Sequence, residues 1–431
     1  MKLEEKLRLL KQAAAKSSRD LELERQLEYL RRREQVPRKL PAQRVAKGIE
    51  EYVDGRVETN AWGEFFLARQ PLPFGRPYGK LRVGDVSTAD LSPLNLFLGD
   101  AVLPPPSQLV YLDTETTGLA GGTGTCAFLI GIGAAEGSQF VVRQFFLRDY
   151  PEEKALLTAL SEVLETYRGL VTFNGKTFDV PLLETRYALA RLKSPFPRLL
   201  HLDLLHPARR LWRLRLTSCE LQNLEKEVLG ISREGDVAGS EIPGIYFDYL
   251  RTGDAQGLQP VFYHNALDIV TLAALSAELA RAVGNGSTGT LASSLDMFSL
   301  SRIFHRAGAR EQSVSTCQRA LAAGLPPSVE TRALWHLASQ HKQHRKYELA
   351  AEIWLELTRR EPELALAAFE ELAIYYEHRR RDARTALEFT LAALERLQED
   401  SLLQPHVRRF THRLERLQRK SARATGSTNR L

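Results

Sequence analysis

Val110-Tyr111-Leu112-Asp113-Thr114-Glu115-Thr116-Thr117-Gly118 runs an apolar stretch into two carboxylates spaced i, i+2. Side chains alternate faces along a strand, so Asp113 and Glu115 point the same way. Adjacent carboxylates repel each other unless a cation lies between them. Hard oxygen donors of this kind suit Mg²⁺ or Mn²⁺. A bare D-x-E also fits an ordinary strand end with solvated acids, so the surrounding sequence has to decide.

From Leu109 onward the pattern is α/β. Strand candidates cover 109–113, 126–133, 139–147 and 169–173, and helical patterns cover 152–167, 179–192, 203–213, 217–229 and 262–282. Three strands followed by helices alternating with a strand predict a mixed sheet flanked by helices. Upstream, residues 2–35 have apolar residues near helical spacing and predict an exposed amphipathic helix ended by Pro37 and Pro41. Residues 49–103 predict an irregular, β-containing extension with short runs at 64–68 and 80–83. Gly121-Gly122-Thr123-Gly124 is not a P-loop, because no GK[ST] follows. It is either a tight backbone approach near a scissile phosphate or a flexible turn.

The stretch 284–290, Gly-Asn-Gly-Ser-Thr-Gly-Thr, has linker composition. Beyond it everything is helical and repetitive. Alanines recur at 338 and 373 and at 350 and 386, shifts of 35 and 36 residues, beside aromatics such as Trp354 and Tyr376. The pattern resembles tetratricopeptide repeats. The expected organisation is an N-terminal basic extension over 1–104, an α/β domain over 105–283, a linker over 284–290, helical repeats over 291–400 and a basic tail over 401–431.

Two further acidic motifs lie inside the α/β domain. In Phe173-Asn174-Gly175-Lys176-Thr177-Phe178-Asp179 a strand ends at Asn174 and Asp179 opens the next helix, where an aspartate is also favoured as a cap. In Tyr263-His264-Asn265-Ala266-Leu267-Asp268, His264 and Asp268 share one helical face. The set is D-x-E on a strand, N-x₄-D after another strand, and H-x₃-D on a late helix. It resembles the DEDD family of 3′–5′ exonucleases on the ribonuclease H-like fold, over about residues 107–282. The stretches Asp113–Thr125, His201–His206 and Tyr263–Asp268 are similar to bacterial YprB-like proteins. Those proteins also join such a domain to tetratricopeptide-like repeats. The resemblance implies that Asp113, Glu115 and Asp268 hold two divalent ions, Mg²⁺ or Mn²⁺, with Asp179 completing the shell. It implies hydrolysis of DNA or RNA by a two-metal mechanism, with Asn174 and Phe178 on the nucleic-acid side.

One position departs from that family. One DEDD subgroup has Tyr four residues before the last Asp and the other has His five before it, whereas here His264 is at four and Tyr263 at five. On a continuous helix, a residue four back lies about 40° from Asp268 and one five back about 140° away. His264 is therefore expected to orient or deprotonate the water. Tyr263 would reach in only if the helix began later. Asp203 is expected to be structural or to lie on the substrate side. Arg209, Arg210 and Arg213, with Trp212 among them, fit phosphate contact plus stacking, or a packed Trp among solvated arginines.

Cys126, Cys219 and Cys317 lie far apart with no CxxC pair, which argues against a disulfide framework or thiolate zinc and fits a reducing cytosol. The chain is charged from Lys2 onward, so no signal peptide is expected, and no apolar run is long enough for a membrane span. The net charge of +6 is uneven: residues 1–47 carry +7, residues 401–431 carry +7, and the body between them −8. Basic ends suit a polyanion or form solvated helical faces. The expected function is a cytosolic, metal-dependent 3′–5′ exonuclease whose repeats recruit a protein partner or help hold nucleic acid. The rivals are a structure-specific endonuclease with the same carboxylates and a non-catalytic binding scaffold.

Overall fold

The structure, a computed structural model, describes residues 47–118, 124–288, 291, 293–360, 362–399 and 407–428. The helix expected over 2–35 and the glycines Gly121 and Gly122 lie outside the described residues. The chain divides into two compact units. The first runs to Arg209 and resumes at Leu216–Val283, and the second holds Arg210–Arg215 and the chain from Gly284 on.

The first unit is built on a mixed sheet of seven strands in the order β1-β2-β7-β6-β5-β8-β9. In chain order these are β1 (Gly55–Asn60), β2 (Gly63–Pro73), β5 (Leu109–Thr116), β6 (Ala127–Glu136), β7 (Gln139–Phe146), β8 (Gly169–Thr172) and β9 (Leu200–Asp203). A separate two-stranded hairpin, β3 (Pro77–Tyr78) with β4 (Leu81–Arg82), follows β2. β5 pairs antiparallel with β6 and parallel with β8, so it lies between the two halves of the sheet. Strands buried on both faces read as continuous apolar runs. Leu109–Leu112 and Ala127–Ala134 are such runs, and both are buried throughout.

β1 and β2 extend the sheet, because β2 pairs with β7 in the register Phe66↔Phe146. A boundary at residue 105 therefore cuts through the sheet, and residues 55–73 are its edge and not a preamble. Pro71 and Pro73 within β2 mask it in the sequence; both fall beyond Ala68, where the pairing with β1 ends, so this part of β2 has one free edge, where proline is tolerated. Helices α1 (Glu153–Leu164), α2 (Asp179–Leu189), α3 (Leu205–Trp212), α4 (Ile242–Thr252) and α5 (Gln259–Thr288) complete the unit's framework. The stretch 284–288, expected as a linker, continues α5 as helix.

The second unit is all helical: α6 (Ser294–Arg306), α7 (Arg310–Ala322), α8 (Pro327–Gln343), α9 (Tyr347–Leu357), α10 (Pro362–Tyr375), α11 (Ala383–Glu399) and α12 (Val407–Thr428). Consecutive helices pack on one another. Ala338, Ala350, Ala373 and Ala386, the residues that repeat in the sequence, are fully buried, because small side chains let helices approach closely. Within the basic tail, Val407–Thr428 forms a helix. Phe410 and Leu417 are buried, and Arg413, Arg416 and Lys420 surround the Glu377 carboxylate. No helix among the described residues is long and apolar enough to cross a membrane.

Candidate active site

Strand β5 delivers Asp113 and Glu115 to one face of the sheet, and helix α5 lies across that face. The approach is close because the facing strand has no side chain there. Gly131 of β6 sits opposite Asp113, and a Cβ on it would fall 2.1 Å from Asn265 Oδ1. Gly133, opposite Tyr111, likewise leaves room for Ile269. Asn265, fully buried, donates from Nδ2 to Asp113 Oδ2 at 3.0 Å. Gln144 Nε2 fixes its amide by donating to Asn265 Oδ1 at 3.0 Å and to the Phe262 carbonyl at 2.7 Å.

Helix α5 begins at Gln259, so residue 263 is already helical. Tyr263 consequently points outward, 45% exposed, while His264 is buried. His264 Nε2 lies 3.5 Å from Asp268 Oδ2 and 3.9 Å from Glu115 Oε1. Donor atoms of Glu115, His264 and Asp268 all fall within 4.8 Å of one another, close enough to share one ion. Asp179 approaches from the first turn of α2, where Thr114 Oγ1 donates to it at 2.5 Å.

The remaining sequence candidates have other placements. Asn174 is exposed with φ of 67°, and its side-chain carbonyl accepts from Thr177 Oγ1 at 2.7 Å. Phe178, half-buried, precedes α2 as its N-cap. Asp203 is structural: its two oxygens accept the backbone N–H groups of Asn174, Leu205 and Lys176 at 2.8, 3.0 and 3.0 Å. Arg209, Arg210 and Arg213 are exposed, whereas Trp212 is 2% exposed, so its ring is packed and not free to stack.

The sequence reading missed a second set of groups. Leu221–Leu224 forms one α-turn and continues as a π-helical turn over Glu225–Leu229, which precedes a loop carrying Arg233 and Asp236. The Arg233 guanidinium is bound by Glu225 at 2.6 and 2.7 Å, by Asp236 at 3.0 Å, and by Asp268. Asp236 Oδ1 is 2.8 Å from His264 Nδ1. Glu225 is also held by Thr271, which Tyr78 reaches from the β3–β4 hairpin at 2.6 Å. No local signal marks them, because Lys226, Glu227 and Glu234 beside them are charged as well.

Burial and mutual repulsion set the protonation of this cluster. Burial, then the charges of Asp268, Glu115 and Asp179, push the Asp113 carboxyl well above the ordinary range. Burial raises Glu115 to about 8, although His264 partly offsets it, and raises Asp179 to about 6 against the Thr114 hydrogen bond. Burial alone would lower His264, but the Asp236 hydrogen bond and the charges of Asp268 and Glu115 raise it to about 9. The cluster thus carries more negative charge than Arg233 and His264 neutralise comfortably. A compact set of carboxylate oxygens with one imidazole suits a divalent cation.

A mixed sheet with two carboxylates on its central strand, faced by a helix bearing His and Asp, is a ribonuclease H-type arrangement. In agreement, residues 110–280 match the family model described as the RNase_H superfamily. The chain is 33% identical over 285 residues to protein YprB of Bacillus subtilis (strain 168), covering 65% of this chain and 68% of that one. The chain belongs to the family of YprB, and its residues 110–280 carry the match to the RNase_H superfamily. Among solved structures, the family B DNA polymerase from the hyperthermophilic archaeon Pyrobaculum calidifontis is similar over 52% of this chain, with 14% identity and a TM-score of 0.35. The chain spans 30% of that polymerase.

Proposed function

We propose that the protein is a divalent-metal-dependent 3′–5′ exonuclease that hydrolyses phosphodiester bonds of DNA or RNA. The observation that carries this reading is the convergence of Glu115, His264 and Asp268 within 4.8 Å, with Asp113 and Asp179 close enough for their charges to act on the cluster. The match of residues 110–280 to the RNase_H superfamily supports the nuclease chemistry, and the order and spacing of the three acidic motifs support the exonuclease subtype.

Asp113, Glu115 and Asp268 would hold Mg²⁺ or Mn²⁺, with Asp179 completing the shell. When bound, two such ions would stabilise charge on the attacking and leaving oxygens of an in-line displacement. The protein's own groups do the rest. His264 Nε2 faces the carboxylates and is the group placed to orient a water and take its proton as oxygen bonds to phosphorus and the P–O3′ bond breaks. The Asp236 hydrogen bond and the charges of Asp268 and Glu115 favour imidazolium, so offsetting those two charges makes the ring a readier base. Asn174, Phe178, Arg209, Arg210 and Arg213 are assigned to the nucleic-acid strand, the arginines as phosphate contacts. The helical unit, tetratricopeptide-like in its repeat spacing, is assigned to recruiting a protein partner or holding nucleic acid. Its cavity of about 780 Å³, lined by Trp335, Lys342, Tyr347, Trp354, Tyr375 and Arg379 among others, is a suitable recess. Cys126, Cys219 and Cys317 are buried and lie far apart in the sequence, which suits a cytosolic location.

The test is incubation with end-labelled single-stranded DNA and RNA, side by side, with Mg²⁺ or Mn²⁺. The expected result is a ladder shortening from the 3′ end that chelator and Asp113→Ala both abolish. Cleavage of a circular strand would replace this reading with an endonuclease. No metal-dependent hydrolysis of any strand would overturn it.

A further inference from the structure

The loop after the π-helical turn contributes two charged groups to the site, and one of them meets the far side of the imidazole. We infer that Asp236 is a positioning residue that fixes the ring orientation and tautomer of His264, so that Nε2 is the nitrogen presented to Glu115 and Asp268. The inference rests on the nuclease reading for its catalytic consequence, though not for the placement of the ring.

The distances assign the proton. His264 Nδ1 is 2.8 Å from Asp236 Oδ1 and 3.4 Å from Arg233 Nη1. The shorter contact is to an acceptor, so Nδ1 carries hydrogen and donates to the carboxylate. A neutral imidazole has one donor and one acceptor nitrogen, and the hydrogen bond on one side selects which is which. With Nδ1–H committed to Asp236, the Nε2 lone pair is left facing the metal-ligand carboxylates.

Asp236 is built for holding and not for ligation. Its Oδ1 also accepts the Val237 N–H at 3.0 Å, and its Oδ2 receives Arg233 Nη1 at 3.0 Å. Both oxygens are therefore occupied inside the protein. Arg233 is in turn fixed by Glu225 and Asp268, with side-chain exposures of 7% for Arg233 and 2% for Glu225. The carboxylate behind His264 is thus anchored through one guanidinium to Asp268, on the helix that carries His264. Outer carboxylates of this kind, hydrogen-bonded to a functional histidine, typically change activity about 10–100-fold when removed.

The experiment uses the full chain with Mn²⁺ and a labelled single strand, comparing Asp236→Asn, His264→Ala and the double variant. Asp236→Asn is expected to lower kcat about 10–100-fold, leaving KM and the Mn²⁺ affinity from calorimetry unchanged. In the His264→Ala background the same substitution is expected to cost nothing further, because the residue acts only through the ring. A separate readout is nitrogen-15 spectroscopy of His264 in metal-free protein at pH 10, where wild type should show Nδ1–H and Asp236→Ala a shift towards Nε2–H. Full activity of Asp236→Asn, or additive losses in the double variant, would overturn the inference. If wild type hydrolyses nothing, the nuclease reading fails and the ring spectrum alone decides the placement: Nδ1–H supports it and Nε2–H overturns it.

Discussion

Gly131 matters for an atom it lacks. Asp113 and its helix-borne partners come together because the position opposite Asp113 in β6 has no Cβ, and Asn265 occupies that space. Gly131→Ala forces a methyl to 2.1 Å from Asn265 Oδ1 in a site with no slack. Overpacking of this kind costs about 1–3 kcal/mol. The expected outcome is a lower Tm by calorimetry together with weaker Mn²⁺ binding, since Asn265 no longer holds Asp113; unchanged Mn²⁺ binding would show that Asn265 is dispensable. The carboxylates make a second prediction at this scale. Glu115 at about 8, Asp179 at about 6 and His264 at about 9 all lie above their ordinary values. A raised group stabilises the fold fully below its unfolded pKa, and that contribution is lost as pH climbs through the folded one. The metal-free protein should therefore lose stability between about pH 5 and 9. Millimolar Mg²⁺ should restore it, because a ligand bound only by the native state stabilises it. Glu115→Gln should flatten the pH profile of Tm; a profile identical to wild type would contradict the shift assigned to Glu115.

The elements around the site are joined by single polar residues at their ends. Asp203 closes β9 and accepts three backbone N–H groups, two from the turn that leads into α2 and one from the start of α3. Asp203→Ala orphans those donors; the Leu205 N–H is buried and would cost about 1–3 kcal/mol unsatisfied, and the part-buried N–H groups of Asn174 and Lys176 less. The variant should unfold at markedly lower urea while, in the folded protein, calorimetry finds Mn²⁺ bound as in wild type. Lost metal affinity at full stability would make Asp203 a ligand instead. Legibility in the sequence followed the same division between elements and their junctions. The strands β5, β6, β7 and β8 and the helices α1, α2 and α5 were legible because their apolar runs or helical spacing extend over whole elements. β9 was not, because His201-Leu202-Asp203-Leu204-Leu205 is short and runs directly into α3, so one apolar pattern covers both. Asp113, Glu115, Asp179, His264 and Asp268 were legible as motifs of fixed spacing. Glu225, Arg233 and Asp236 were not, because their partners lie 28 to 46 positions away on α5 and no local period records that.

At the scale of the whole chain, the uneven charge has a structural use that composition alone conceals. Residues 401–431 carry +7, which suggests a free polyanion-binding tail. Much of that charge is already spent: Arg409 pairs with Glu370 at 2.5 Å, and Arg416 and Lys420 each reach Glu377 at 2.6 Å, with Arg413 at 3.6 Å. The Glu377 side chain is 1% exposed, and these cations outweigh its burial, holding its carboxyl below the ordinary range. A lowered carboxylate stabilises the fold above its unfolded pKa, and that support vanishes as pH falls through the folded one. Glu377→Gln removes the charge at every pH and leaves Arg413, Arg416 and Lys420 repelling one another. The partners are partly exposed, so the loss falls below the 3–5 kcal/mol of a fully buried pair and should be about 1–3 kcal/mol. Two readouts should move together in this variant. Hydrogen exchange over 407–420 should accelerate as α12 loosens. Retention on single-stranded nucleic acid should rise at low salt and depend more steeply on salt, because each freed cation adds about one displaced counterion to the slope. Faster exchange with unchanged salt dependence would show that the released helix does not meet the polyanion, and the arginines near α3 would then carry that contact alone.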